Sequence, residues 1–312
     1  MKMKQFLIQS GMLVVFAIVA ILAALFVPQF ATGQNMVNLG LAVATVGIVS
    51  CTMLFCLAGG DFDLSVGSTL ALGGLLFALV SNRTGSLFMG VLAAVGAGAV
   101  IGLVNGTVIA KFGINALITT LATMQIVRGA ANIMSGGTMI TGQTAGFEWL
   151  GSEKVLGVQM PIWCMIFFFV IFGFLLNRTV FGRDTLAIGG NPEAAHLAGI
   201  PVARTKIIVF ILSGMAAAFA GVVSASRLVA ASNNAGEKLE LQAISACVLG
   251  GVSLAGGVGS ISGVVVGVLL MGIVENVMRL KNIDTFWQMV VTGVILLVAV
   301  LIDRAKAKAL KA

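Results

Sequence analysis

The chain has 312 residues, of which 59% are hydrophobic and 9% charged, with a formal net charge of +7. A soluble domain of this length carries about 25% charged residues, so the composition excludes a soluble globular protein and indicates a polytopic membrane protein. The positive balance is not a nucleic-acid signal, because the basic residues sit at the ends of apolar runs, where they orient a protein in the bilayer.

Apolar runs that can cross a hydrocarbon layer of about 30 Å need about 20 residues. Ten are predicted, at 11–27, 36–58, 65–81, 87–110, 116–134, 160–176, 207–225, 241–255, 260–278 and 285–302. The first follows Lys2 and Lys4 and is read as a retained helix, since no small-residue cleavage site precedes Pro28. The eighth is short and glycine-rich, which predicts a broken or re-entrant helix. With both termini inside, eleven basic residues fall on the inner side and six on the outer: Arg83, Lys154, Arg227, Lys238, Arg279 and Lys281. That bias predicts cytoplasmic termini and an even span count. The expectation is a single all-α transmembrane domain over 1–312, with an inner loop at 177–206 and its largest outer loop at 135–159. A second outer loop is expected at 226–240, and either outer loop is a solvated connection or a docking place for a soluble partner.

Polar groups within this apolar chain are the candidates for function. Gly59-Gly60-Asp61-Phe62-Asp63-Leu64-Ser65 interrupts two spans with two acids. An acid near membrane depth costs about 2.5–3.5 kcal/mol, so the pair calls for an explanation. One is a tight inner turn in which Asp63 or Ser65 caps the next helix. The other adds a role for Asp61, Asp63 and Ser65 at an inner gate. Arg128 lies inside the fifth run, where it snorkels, pairs with Glu275 or serves a pathway. Asn105, Asn115, Thr119 and Asn276 are further polar residues able to line a path for a hydroxylated substrate. Cys51, Cys56, Cys164 and Cys247 all lie in apolar runs and read as packed small residues, and with His196 as the one histidine no metal cluster assembles. Cys56-Leu-Ala-Gly-Gly60 is echoed by Cys247-Val-Leu-Gly-Gly251, a weak sign of an internal repeat.

The longest polar break is 181–206. Asn191 is placed to cap a short helix, Pro192 suits its first position, and Glu193 favours the positive end of the helix dipole. Gly199 then ends the helix and Pro201 prevents its continuation. No Gly-Lys dipeptide occurs anywhere, so the chain has no phosphate-binding loop and no ATPase of its own.

Glu193-Ala194-Ala195 followed by Gly199 resembles the coupling loop of ABC-importer permeases. The resemblance extends over about 11–304, through LAGGDFDLSVGS (57–68), the run 102–133, FGRDTLAIGGNPEAAHLAGIPVARTK (181–206) and ISACVLGGVSLAGGVGS (244–260). These motifs look like the ten-span permeases of bacterial ABC sugar importers, in wording nearest the arabinose branch, although Asp61-Phe62-Asp63 replaces the commoner Gly-Ile-Asp. The resemblance implies a BtuC-like, type II permease of the bacterial inner membrane, working as a homodimer in lipid by alternating access. It implies a separate ATPase subunit that holds ATP and magnesium, no cofactor in this chain, and a periplasmic sugar-binding protein. It assigns ATPase coupling to Arg183, Glu193, Ala194, Ala195 and Gly199, and makes the chain a transporter subunit, not an enzyme. The rival reading is an ion-coupled secondary sugar carrier working without an ATPase.

Overall fold

The computed structural model describes the backbone of residues 2–309 and the side chains of residues 12–301. The chain is all-α apart from two short two-stranded pairings among the described residues. Its long helices are α1 (Lys2–Phe26), α2 (Gly33–Ala58), α3 (Val66–Thr84), α4 (Leu87–Phe112) and α5 (Ala116–Ser135) in the first half. Strand β1 (Ile140–Thr141), the one-turn helix α6 (Trp149–Ser152) and strands β2 (Lys154–Val155) and β3 (Val158–Gln159) connect these to α7 (Met160–Arg178). Helices α8 (Val180–Gly190) and α9 (Pro192–Leu197) follow, then α10 (Val202–Leu228) and strand β4 (Ala230–Ala231). The chain closes with α11 (Leu239–Leu249), α12 (Ile261–Leu280) and α13 (Thr285–Ala309).

Every predicted apolar run carries helix, and among the described residues six helices are long and apolar enough to cross a membrane: α2, α3, α4, α7, α10 and α12. The other runs differ from these for separate reasons. Helix α5 has 20 residues but carries three threonines, Gln125, Arg128 and Asn132. Helix α11, at 11 residues, rises only about 16 Å, so the predicted broken eighth segment is present as a half-length helix followed by irregular backbone at 250–260. In α1 and α13 the described apolar parts are Met12–Phe26 and Thr285–Leu301. Lys2, Lys4, Arg304, Lys306, Lys308 and Lys311, on which the predicted orientation partly rests, lie outside the residues whose side chains are described.

Helix α2 is the central post. It is buried from Gly47 to Ala58 and packs against α7, α10, α11 and α12. Around it, Val49, Leu54, Phe55, Leu70, Phe172, Ala217, Ile244 and Val268 form one continuous core. Beside it α3, α4 and α10 make a three-helix unit joined through small residues. A Cβ on Gly98 would lie 2.2 Å from the Gly214 carbonyl, and one on Gly102 2.1 Å from that of Phe210. Lipid gives no hydrophobic drive for helices to associate, so this backbone proximity supplies the van der Waals contact that holds them. Helices α4 and α7 expose rows of large apolar residues, including Phe88, Leu92, Val100, Phe167, Val170 and Phe174, as expected of faces turned to lipid.

The segment 177–206, predicted as a loop with one short helix, is mostly helix. The 11-residue α8 was concealed by its three glycines. Thr179 starts it by accepting a hydrogen bond from the Gly182 amide at 3.3 Å, and Thr185 and Ile188 are buried beneath it. The segment 226–240 also departs from expectation. It is not a free loop: Ala230–Ala231 pairs antiparallel with Ile140–Thr141, tying the 226–240 segment to the 135–159 segment, and Asn233 and Leu239 are buried.

Candidate functional site

The two acids of the 59–65 break do different things. Asp61 forms an ion pair with Lys206 Nζ at 2.8 Å, both side chains being largely buried. Burial raises the Asp61 carboxyl pKa, and the Lys206 ammonium opposes that rise. Lys206 stands at the start of α10, directly after the α9 segment, so the pair joins α10 to the end of α2.

Asp63 is fully buried and faces inward. Its Oδ1 accepts from the Ser65 amide at 3.0 Å and the Ser65 hydroxyl at 2.6 Å, and its Oδ2 accepts from the Ser213 hydroxyl of α10 at 2.7 Å. The Ser65 oxygen in turn accepts from Asn105 Nδ2 of α4 at 3.0 Å, and Asn105 Oδ1 accepts from the Thr123 hydroxyl of α5 at 2.6 Å. Every donor in this chain of bonds points toward the carboxylate. Such an array polarises cooperatively, and it lets a buried carboxylate stand where no cation contacts it among the described residues. Asn105 lies seven residues from the end of α4, Thr123 seven from the start of α5 and Ser213 eleven from the start of α10, depths of about 10–16 Å. Four elements therefore meet at one polar point well inside the apolar body. The two predicted ways to cap α3 resolve into one: Asp63 takes the Ser65 amide, and Ser65 makes no side-chain cap of its own.

The predicted coupling residues occupy the tip of the molecule. Asn191 Oδ1 accepts from the Ala194 amide at 3.0 Å and starts α9. The helix ends with Gly199 at φ +83°, the Gly199 amide on the His196 carbonyl and the Ile200 amide on that of Ala195. This is the glycine stop expected from the sequence. The helix spans six residues. Only Ala195 faces the protein, while Glu193, Ala194, His196 and Leu197 are exposed, as is Arg183 on α8. Leu197, 87% exposed, was not singled out by sequence, although an unburied leucine on a capped helix is a contact signal. The other end of α8 is fixed tightly: a Cβ on Gly189 would stand 1.8 Å from the Ala58 carbonyl. Ala58 also accepts from the Gly257 amide at 2.8 Å. The C-terminal end of α8, the end of α2 and the 250–260 break thus touch through close backbone contacts, and Phe181 of α8 also stacks on Phe55 of α2.

The remaining candidates are dispersed. Asn115 is exposed and caps α5, accepting from the Leu117 and Ile118 amides, and the Thr119 hydroxyl bonds back to the Asn115 carbonyl. Asn276 is paired reciprocally with Asn35 of α2, each amide donating to the other at 2.9 Å. Arg128 does not meet Glu275. Its Nη1 donates to the carbonyls of Asn233 and Ala235, because the 232–238 segment folds down onto α5, while Glu275 takes Gln242 and Arg279 instead. Ser213, Lys206 and Thr123 complete the site, but only the fold brings them to it.

A permease family described as the branched-chain amino acid transport system permease component matches residues 35–300. The chain belongs to this family. Among curated relatives, the L-arabinose transport system permease protein AraH of Escherichia coli is 57% identical over 96% of this chain and 92% of its own. The L-arabinose ABC transporter permease protein AraH of Azospirillum brasilense is 48% identical over 96% and 88%. The ribose import permease protein RbsC of Bacillus subtilis is 40% identical over 93% and 91%. No solved structure matches the chain. The permease therefore resembles sugar permeases along nearly its whole length, although the family description names amino acids.

Proposed function

We propose that this permease is the membrane subunit of an ATP-driven, binding-protein-dependent importer of L-arabinose in the bacterial inner membrane, a ten-span type II permease with both termini cytoplasmic. Two copies form the translocation path between them, and a separate ATPase subunit brings ATP and magnesium. The observation that carries the reading is the exposed, capped α9, whose supporting helix α8 abuts the break between α2 and α3. Support for the sugar comes from the two L-arabinose relatives, at 57% and 48% identity over nearly full length.

In this reading α9 seats in a groove of the ATPase, with Leu197 and Glu193 at the contact and Arg183 beside it. Closure of the ATPases pushes α8–α9 as a rigid unit. The push reaches the 59–65 break through Gly189 on Ala58 and through Lys206 on Asp61. Because α3 begins at that break, and Asp63 ties it to α4, α5 and α10, a small displacement there tilts four elements together. Asp61, Asp63, Ser65 and Asn105 then act as the hinge of the inner gate, and Asn115 and Thr119 stand at its inner mouth.

The test is purification of the chain with its genomic neighbours under mild extraction. The expected result is an ATPase that co-purifies and is stimulated by a binding protein carrying L-arabinose. A chain that purifies alone, and whose vesicle uptake collapses with an uncoupler while ignoring ATP, would instead be an ion-coupled carrier. Asp63, a buried carboxylate without a counter-cation among the described residues, is the group such a carrier would use.

A further inference from the structure

A cleft of about 340 Å³ opens between α11, α12 and the first turns of α13. It shares no lining residue with the Asp63 network. Its polar lining is Gln242, Glu275, Thr285, Gln288 and Thr292, with Lys238 at its edge, and its apolar lining includes Leu241, Met289 and Leu296. We propose that this cleft is a transient binding site for a single monosaccharide on its way through the permease. The proposal rests on the sugar-importer reading and adds to it a place where the chain itself holds the substrate.

Small-molecule pockets run from about 300 to 1,000 Å³, and this one lies at the bottom of that range, with room for one sugar ring. The character of the lining suits a sugar, which presents apolar C–H faces and a rim of hydroxyls. Leu241, Met289 and Leu296 offer apolar surface to a ring face. Around them, hydrogen-bonding capacity remains unused within the protein. Gln242 Nε2 donates to Glu275 Oε1 at 3.1 Å, and Gln288 Nε2 donates to the Ile283 carbonyl at 2.9 Å. Those bonds hold both amides by their nitrogens, and among the described residues neither Oε1 has a donor. Among the same residues Lys238 Nζ has only the Met289 sulfur, at 3.6 Å, a poor partner for an ammonium. Two amide oxygens and one ammonium are therefore free to meet ring hydroxyls.

The same groups argue against an amino acid, the cargo that the family description names. A zwitterion needs an anion for its ammonium, and the one carboxylate in the lining, Glu275, already accepts from Gln242 at 3.1 Å and pairs with Arg279 at 3.4 Å, which weakens its hold on a second cation. What remains is mostly neutral hydrogen bonding in an open cleft, which gives weak, quickly reversible binding. A transport path needs a site of that kind, since a tight one would slow release.

The test uses the assembled complex in lipid vesicles, with Cys164→Ser as background because Cys164 is the half-buried native thiol and the other three are buried. Gly293→Cys, which lines the cleft where an added side chain meets open space and removes none of the proposed ligand groups, is labelled with a maleimide, with and without millimolar L-arabinose, and with L-leucine as control. Sugar at twice its Kd should slow labelling about threefold, leucine should not, and adding Gln242→Ala should remove the protection. No protection, or equal protection by leucine, overturns the site. In parallel, Thr292→Val and Gln242→Ala should lower uptake about three- to tenfold while stimulation of the ATPase by the sugar-loaded binding protein persists; wild-type uptake in both also overturns it. Labelling needs no ATP hydrolysis. Failure of ATPase coupling in the parent complex therefore counts against the importer reading, and failure of protection counts against the cleft.

Discussion

Three groups, Thr123, Asn105 and Ser65, lead in series to one oxygen of the Asp63 carboxylate and the Ser213 hydroxyl meets the other, and this fixes what substitutions there do. Asp63→Ala removes the acceptor of three hydrogen bonds and strands the Ser65 and Ser213 hydroxyls in the interior. Hydrogen bonds to a charged group contribute about 1.5–3 kcal/mol each, so the variant should lose at least about 3 kcal/mol. Asp63→Asn keeps the shape and one acceptor and should lose about half as much. Thermal unfolding in detergent measures both, and an Ala variant as stable as the parent would show that the network holds nothing together. The Asn35–Asn276 pair yields a second prediction. Asn276→Leu leaves the Asn35 amide with the Phe30 carbonyl alone, and Asn35→Leu deprives both Asn276 and that carbonyl of a partner; each should cost about 1–3 kcal/mol, whereas the double Leu variant removes both amides and should recover part of the loss. Sugar uptake in the double variant then separates the candidates' roles: recovery with stability makes Asn276 a structural residue, and persistent loss makes it part of the path.

At the level of whole elements, legibility followed the range of the interactions. Helix α9 was readable because its start and stop are local: Asn191 caps a residue three positions on, and Gly199 closes on His196. Helix α8 was not, because Gly182, Gly189 and Gly190 read as breakers until α2 is seen against them. The echo between Gly59-Gly60 and Gly250-Gly251 was legible as letters and is matched in geometry. Gly60 and Gly251 sit at φ +83° and +84°, and Asp61 and Val252 each bond back five residues, to Cys56 and Cys247. Both are glycine stops that end a helix inside the protein, and they place the two breaks side by side at Ala58 and Gly257. The pairing of Asp63 with Ser213 was out of reach, since 150 residues separate them and periodicity does not say which face of a long apolar helix meets which neighbour. These contacts predict two coupling phenotypes. Gly189→Ala drives a methyl into the Ala58 carbonyl and must displace α8, so uptake should fall while the ATPase still binds. Gly199→Val meets open space but carries a strain of about 1–2 kcal/mol at positive φ, which loosens the α9 stop. ATP hydrolysis should then continue with uptake reduced; tight coupling in both variants would move the transmission point elsewhere.

Across the whole molecule, the two ends are built for different tasks. The 135–159 and 226–240 segments are stitched to each other by the β1–β4 pairing, Asn233 donates to Asn132 of α5, and Asn82 of α3 donates to the Thr141 carbonyl. Those bonds join that end of α3, α5 and α10 into one unit. At the α9 end, the Asp61–Lys206 ion pair is a link whose charges can be exchanged between its two partners. It is also the acid by which this chain departs from the commoner family wording. If the pair transmits force between α10 and the α2 break, its charge order does not matter but its existence does. Asp61→Lys and Lys206→Asp should each lower uptake, because each leaves two like charges facing across a few ångströms. The double exchange should restore it, with a coupling energy of about 1 kcal/mol, since the pair retains some solvent contact. Uptake and sugar-stimulated ATP hydrolysis, measured for all four proteins in vesicles, decide the matter. Restoration of both by the double exchange identifies a transmitting contact. Restoration of stability without uptake identifies a brace, and transmission then runs through the Gly189–Ala58 contact alone.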